Sequence, residues 1–172
     1  MLSQKHFMFL SGLFHNVFVR ILIPQLFMHF KRFLEWIGLK EKLDAKQSKV
    51  PHVSEGQIWW ACLGENVGFE INGKSSVFAR PVIIYKKLTR GFYFVIPVTS
   101  QEKIGTWYVP FKLKDKQSVA CLHQARSIDY RRLLNQMGWL KEDDFLIVQC
   151  GFLALYRIKI IPIISDGVAG KP

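Results

Sequence analysis

The stretch from Trp59 to Thr99, WWACLGENVGFEINGKSSVFARPVIIYKKLTRGFYFVIPVT, constrains the fold of this chain more than any other. Phe92–Val98 is apolar on both parities, which a strand carries only when both of its faces are buried. Before it, the pattern reads strand, long polar loop, strand, turn. The loop over 64–79 is rich in Gly and Asn and carries Glu70. Arg80-Pro81 open the second strand, and the third ends at Pro97-Val98-Thr99. A carboxylate, a guanidinium and a hydroxyl are thereby expected at loop tips and strand ends. Loops on a rigid sheet are where functional side chains concentrate.

The remaining elements follow from local pattern. Gln57–Leu63 is an aromatic strand, Pro81–Lys87 a short apolar one, and Leu88–Gly91 turns the chain into Phe92–Val98. Thr106–Lys112 alternates, with Pro110 indicating an edge position. Ser118–Leu122 and Met137–Leu140 read as short strands, and Asp129–Asn135 as one helical turn. Over 141–156, Glu142, Asp143 and Asp144 suit the first turn of a helix. Phe145, Val148, Phe152 and Leu155 then share its apolar face. Short strands at close spacing with one closing helix predict an α+β fold, a small, strongly bent antiparallel barrel.

Upstream, a helix is predicted from His29 to about Lys46, with Phe30, Phe33, Leu34 and Ile37 as its docking face. Gly38 either kinks it or divides it. Residues 44–55 form a polar linker with Pro51. The expected organisation is an apolar segment over 1–27, helix and linker over 28–50, the domain proper over 51–156 and a tail over 157–172. In the first of these, the longest run without Lys, Arg, Asp or Glu is the 14 residues His6 to Val19. A spanning helix needs about 20, and Arg20 and Pro24 interrupt any extension. Three readings stay open for residues 1–27: contact with a membrane surface, packing on the domain, or a true start at Met28. The last is preferred.

The chain carries 24 Lys and Arg against 13 Asp and Glu, a net +11. The excess is +5 within residues 1–50 (eight against three) and +6 in the remainder (sixteen against ten). Both parts suit an anionic partner such as RNA, the preferred reading; solubility alone is the alternative. Cys62, Cys121 and Cys150 are odd in number and widely spaced, without a C-x-x-C. That argues against a disulfide framework and a zinc site, and for buried thiols in a reducing cytoplasm. No metal site and no cofactor is expected.

Three pieces of sequence recur in order in one family. They are G-Q-I-W-W…L-G-E-N-V-G-F-E over 56–70; R-P-V-I-I-Y over 80–85 with V-I-P-V-T-S over 95–100; and S-V-A-C-L-H-Q-A-R-S-I-D-Y-R-R-L…G-W-L-K-E-D-D over 118–144. Together they resemble the PemK/MazF toxins of type II toxin–antitoxin pairs. The resemblance covers most of residues 56–156 and leaves 1–50 outside. It implies an SH3-like barrel related to that of CcdB, a homodimer, and a cognate antitoxin that binds DNA together with the toxin. It also implies growth inhibition through sequence-specific, metal-independent cleavage of single-stranded RNA. The alternative is a CcdB-like barrel without catalysis that grips a partner.

Cleavage without a metal needs the ribose 2′-OH to attack the adjacent phosphorus, leaving a 2′,3′-cyclic phosphate and a 5′-OH. A base, an acid and donors to the phosphoryl oxygens are required. By resemblance Arg80 corresponds to the arginine at the scissile phosphate, where a guanidinium gives bidentate contact. Thr99 corresponds to the threonine beside it, and Glu70 to a loop glutamate, either the base or an anchor for Arg80. The chain departs from the pattern at Phe69, where some PemK-type members have His, and at Cys121 and His123, where they have Arg and Asp. Histidine side chains titrate near neutrality, so His123 is a further candidate base. Gln124 and Arg126 are expected near the RNA path; for Arg126 a structural ion pair with Asp129 is the equal alternative. Phe69, Lys74 and Phe78 on the long loop are candidates for stacking and phosphate contact. The plainer alternatives are a surface arginine at 80, a turn cap at Thr99 and solvated charge at Glu70.

Overall fold

The computed structural model describes residues 32–114 and 116–157. The expectations for residues 1–27 and for most of the tail lie outside them. Helix α1 is described over 32–44. Seven strands follow: β1 (Gln57–Cys62), β2 (Ala79–Thr89), β3 (Phe92–Thr99), β4 (Tyr108–Leu113), β5 (Lys116–Cys121), β6 (Arg126–Asp129) and β7 (Leu133–Trp139). Helix α2 (Glu142–Leu155) ends the described chain. The sheet is antiparallel, in the order β4-β5-β3-β2-β1-β7, with β6 also pairing β3.

The two apolar parities of the central strands build two cores. Ile58, Ile83, Ile96 and Val98 belong to one, with Val109, Leu122 and Val148. Trp59, Val82, Ile84, Tyr93 and Val95 belong to the other. Alternate residues of a strand point to opposite faces, so β3 is doubly buried, as its pattern predicts. Helix α2 covers the first core through buried Val148 and half-buried Phe145, Phe152 and Leu155, the predicted face. Complete burial of a side chain like Val148 stabilises by about 1.5–3 kcal/mol. At Gly151 a Cβ would stand 2.7 Å from Val109 Cγ2, so this contact needs glycine.

Strand β3 is the hinge of the architecture. One edge pairs β2 from Val82↔Pro97 to Thr89↔Phe92. The other pairs β6 along Phe92–Val95 and then β5 at Val98 and Thr99. Pro97, which lacks an N–H, lies at the hand-over between the two partners. β6 and β5 diverge there, and the sheet bends. It curls until a Cβ at Gly138 of β7 would meet Leu113 Cδ1 of β4 at 3.5 Å. The end strands β4 and β7 do not pair, so the barrel is bent but not closed.

Several expectations need correction. The helical turn expected over Asp129–Asn135 is confined to Tyr130–Arg132, where it links β6 to β7; Asp129 and Leu133–Asn135 belong to those strands. The free edges of β3 and β1 recruit these short polar segments as strands. Helix α1 docks through Trp36, Leu39 and Leu43, not Leu34 and Ile37, which are about half exposed. Both sets have helical spacing, and the face with the large indole takes the contact. Gly38 lies inside an unbroken helix with open space around it. Residues 44–55 are not a free linker. Val53 is buried in the second core, Tyr130 donates to Ser48 O at 3.0 Å, and Arg131 pairs with Asp44 at 2.9 Å.

Candidate active site

The loop between β1 and β2 positions the site, and it is knitted by its own polar groups. Asn66 N donates to Asn72 Oδ1 at 2.6 Å, and Asn66 Nδ2 to Ile71 O at 2.8 Å. Gly73 N donates to Gly64 O at 2.8 Å, and Leu63 N to Phe78 O at 2.9 Å. Asparagine side chains here replace the missing ladder partners. A Cβ at Gly73 would run into the Phe78 carbonyl, so glycine is required there.

Two contacts fix the loop to the sheet. Arg80 Nε donates to Asn72 O at 2.8 Å. Gln124 uses both ends of its amide, accepting from Ile71 N at 2.9 Å and donating to Phe69 O at 3.1 Å. Meanwhile the β2–β3 register, extended two residues beyond Val82↔Pro97, sets Arg80 opposite Thr99. β5 ends beside them and leads into the turn Leu122–Gln124, which presents His123.

These elements meet at a pocket of about 190 Å³ lined by Arg80, Thr99, His123, Phe69, Gln124 and, among others, Lys103. No Asp or Glu lines it. Thr99 is buried, and its Oγ1 accepts from Gln101 N at 3.2 Å. The turn-cap reading is therefore correct as far as it goes, and the hydroxyl proton is left to donate. His123 lies between Trp107 and Tyr108, with ring centroids at 5.3 and 5.2 Å. Its Nδ1 is buried without a hydrogen-bond partner. Burial lowers the Arg80 pKa, partly offset by Cys121; an arginine nonetheless stays charged near neutrality. Burial also pushes the Cys121 thiol up, against the charges of Arg80 and Lys103. The site offers a guanidinium, a hydroxyl, an imidazole and a neutral thiol, a set suited to an anion with transferable protons.

Other candidates lie elsewhere. Phe78 is 1% exposed and packs on Trp36 at 5.6 Å, so it cannot stack on RNA; its size and position assign it to the core beneath the loop. Phe69 is fully exposed at the pocket rim. Glu70 is exposed, does not line the pocket, and accepts from Val67 N at 3.2 Å. The anchor of Arg80 is thus the Asn72 carbonyl and not Glu70. Lys74 lines an adjoining pocket of about 460 Å³ that shares Arg80 and Thr99. Arg126 sits on β6 opposite Val95 and lines neither pocket. Asp129 pairs with Arg131 at 2.8 Å and not with Arg126.

The sequence reading passed over Asn72, Glu65, Lys103 and Tyr108. Asn72-Gly73 is a turn signal, but nothing in it foretells that a backbone carbonyl would hold Arg80. Among the described residues no group of three His, Cys, Asp or Glu could hold a metal ion, and no helix is long and apolar enough to cross a membrane.

Comparison with known proteins agrees with this fold. A MazF crystal structure from Deinococcus radiodurans superposes with a TM-score of 0.53 at 23% identity, over 64% of this chain and 100% of that one. An endoribonuclease from a mycobacterial species, solved in complex with its cognate antitoxin, gives 0.51 at 12% identity, over 63% and 98%. At such identities these likenesses show the fold alone. A search of curated proteins finds no match. The family model for the PemK-like, MazF-like toxin of type II toxin–antitoxin systems matches residues 54–155, from the residues before β1 to the end of α2. That match takes in the whole sheet, the loop and the pocket, and the chain belongs to the PemK-like, MazF-like toxin family of type II toxin–antitoxin systems.

Proposed function

We propose that this chain is an endoribonuclease that cuts single-stranded RNA at a preferred sequence, without a metal ion, by attack of a ribose 2′-OH. The observation that carries the reading is the convergence of Arg80, Thr99 and His123 on one pocket free of carboxylates. The 2′-oxygen forms a bond to phosphorus as the bond to the 5′-oxygen breaks. The products are a 2′,3′-cyclic phosphate and a 5′-OH.

Each side chain has a part. Arg80 is held at Nε by Asn72 O, which orients its terminal amino groups for two contacts to the phosphoryl oxygens. Thr99, accepting from Gln101, donates its hydroxyl proton to the same phosphate. His123 takes the proton of the 2′-OH; it lines the pocket, whereas Glu70 does not and uses its carboxylate within the loop. The proton then returns to the leaving 5′-oxygen. Phe69 stacks on an adjacent base, and Lys74 in the adjoining pocket meets a neighbouring phosphate. Gln124 supports the loop, and Arg126 has no part.

The same reading assigns the chain to the cytoplasm with an antitoxin as partner. It also assigns a second copy of itself, for which the outer edge of β7 with exposed Leu134 and Trp139 is available. The test is a labelled RNA pool incubated in EDTA with protein freed of antitoxin, read by end-group analysis. Cutting with 5′-OH ends is expected, and Arg80→Ala should slow it about 10²- to 10³-fold. A requirement for a divalent metal would refute the mechanism. No cutting at all would leave a binding module.

A further inference from the structure

We propose that α1, which precedes the matched family region, is a positioning element of the active site, acting through Arg32, Glu65, Asn72 and Arg80. The inference rests on Arg80 contacting the phosphate. Glu65 lies at the root of the loop and is 6% exposed. Its Oε1 accepts from Asn72 Nδ2 at 2.9 Å. Its Oε2, which no aligned hydrogen bond satisfies, lies 2.8 Å from Arg32 Nη2 on α1. Asn72 in turn accepts from Arg80 Nε through its carbonyl at 2.8 Å. One residue thus links the buried carboxylate to the guanidinium of the site, and α1 supplies the counter-charge.

Packing reinforces the link. Trp36 is buried on Phe78 and covers Gly64, where any Cβ would meet its ring. Gly64 has a φ of +94°, a conformation suited to glycine. The Arg32 guanidinium stands 5.6 Å from the Phe78 ring centroid, and that of Arg132 stands 5.3 Å from the Trp36 ring. Helix α1 therefore closes the root of the loop that carries both Asn72 and Phe69. A buried carboxylate that loses its counter-charge is costly to keep. The outlet is for Glu65 to swing into water, which takes away one of the two side-chain bonds of Asn72 and loosens the Nε anchor of Arg80.

The test uses the full chain with Arg32→Ala, Arg32→Lys, Glu65→Gln and the double variant Arg32→Ala/Glu65→Gln. Amide hydrogen exchange, measured without RNA, reads the loop directly. Exchange at Asn66, Ile71 and Gly73 should quicken about 10-fold or more in Arg32→Ala, while the amides of β2 and β3 keep their rates. With RNA, kcat should fall about 10- to 100-fold and KM stay within about twofold. Arg32→Lys should recover part of the loss, because it keeps the charge. The double variant should be no worse than Arg32→Ala. Unchanged loop exchange in Arg32→Ala overturns the proposal whatever the activity. So does faster exchange with an unchanged kcat. Should the wild type cut no RNA, the function proposed for the site fails, and the exchange measurement still decides whether α1 holds the loop.

Discussion

Phe69 and Phe78 lie nine residues apart on one loop, and the structure predicts opposite consequences for replacing each with alanine. Phe78 is 1% exposed and packed against Trp36 and Cys62. Removing a buried phenyl ring costs about 3–5 kcal/mol, the transfer loss plus the cavity. For a domain of this size 1 kcal/mol corresponds to about 3–5 °C in Tm, so Phe78→Ala should melt roughly 9–25 °C lower. Phe69 is fully exposed, and Phe69→Ala should stay within about 0.5 kcal/mol of wild type in stability. Its cost should appear in RNA affinity instead. Loss of one stacked base is worth about 1–3 kcal/mol, or roughly 5- to 150-fold in Kd. Thermal melting and RNA titration at fixed salt measure the two effects separately. A Phe69→Ala protein that melts as low as Phe78→Ala, or that binds RNA as well as wild type, refutes the division.

Two further outcomes follow from the site and its surroundings. His123→Ala should slow cleavage about 10²- to 10⁴-fold and Glu70→Gln only slightly, while Thr99→Ser should retain more activity than Thr99→Val because the hydroxyl is the working group; single-turnover rates on a labelled oligonucleotide decide both. Burial raises the Asp129 carboxyl pKa, but the hydrogen bonds and charge of Arg131, with the charge of Arg132, hold it below its ordinary value. Its folded pKa is depressed, so its contribution is present above the unfolded pKa of about 4 and is lost as pH falls through the folded value. Asp129→Asn should therefore melt below wild type at pH 7, and the gap should close below about pH 4.

The sheet was legible where both parities of a strand were apolar, as in Phe92–Val98, and α2 was legible from its stripe of Phe145, Val148, Phe152 and Leu155. β6 and the start of β7 were not, because R-S-I-D and L-L-N-Q carry no alternation of their own. The unpaired edges of β3 and β1 make them strands. The docking face of α1 was equally hidden, since Leu34 and Ile37 have the same helical spacing as Trp36 and Leu39. Only the hollow at Gly64 and Phe78 selects between them. In the site, Arg80 and Thr99 were visible as polar residues ending apolar strands. Phe78 was misread because loop aromatics look alike in sequence, and the Asn72 carbonyl was invisible because every residue has one.

The central claim, 2′-OH attack at a phosphate held by Arg80, meets its most direct test in two RNA oligonucleotides that differ by a single 2′-methoxy group at the cut site. The account predicts that wild-type protein in EDTA cuts the unmodified strand to a 5′-OH end and leaves the methoxy strand whole. Cleavage of the methoxy strand at the same position would contradict it.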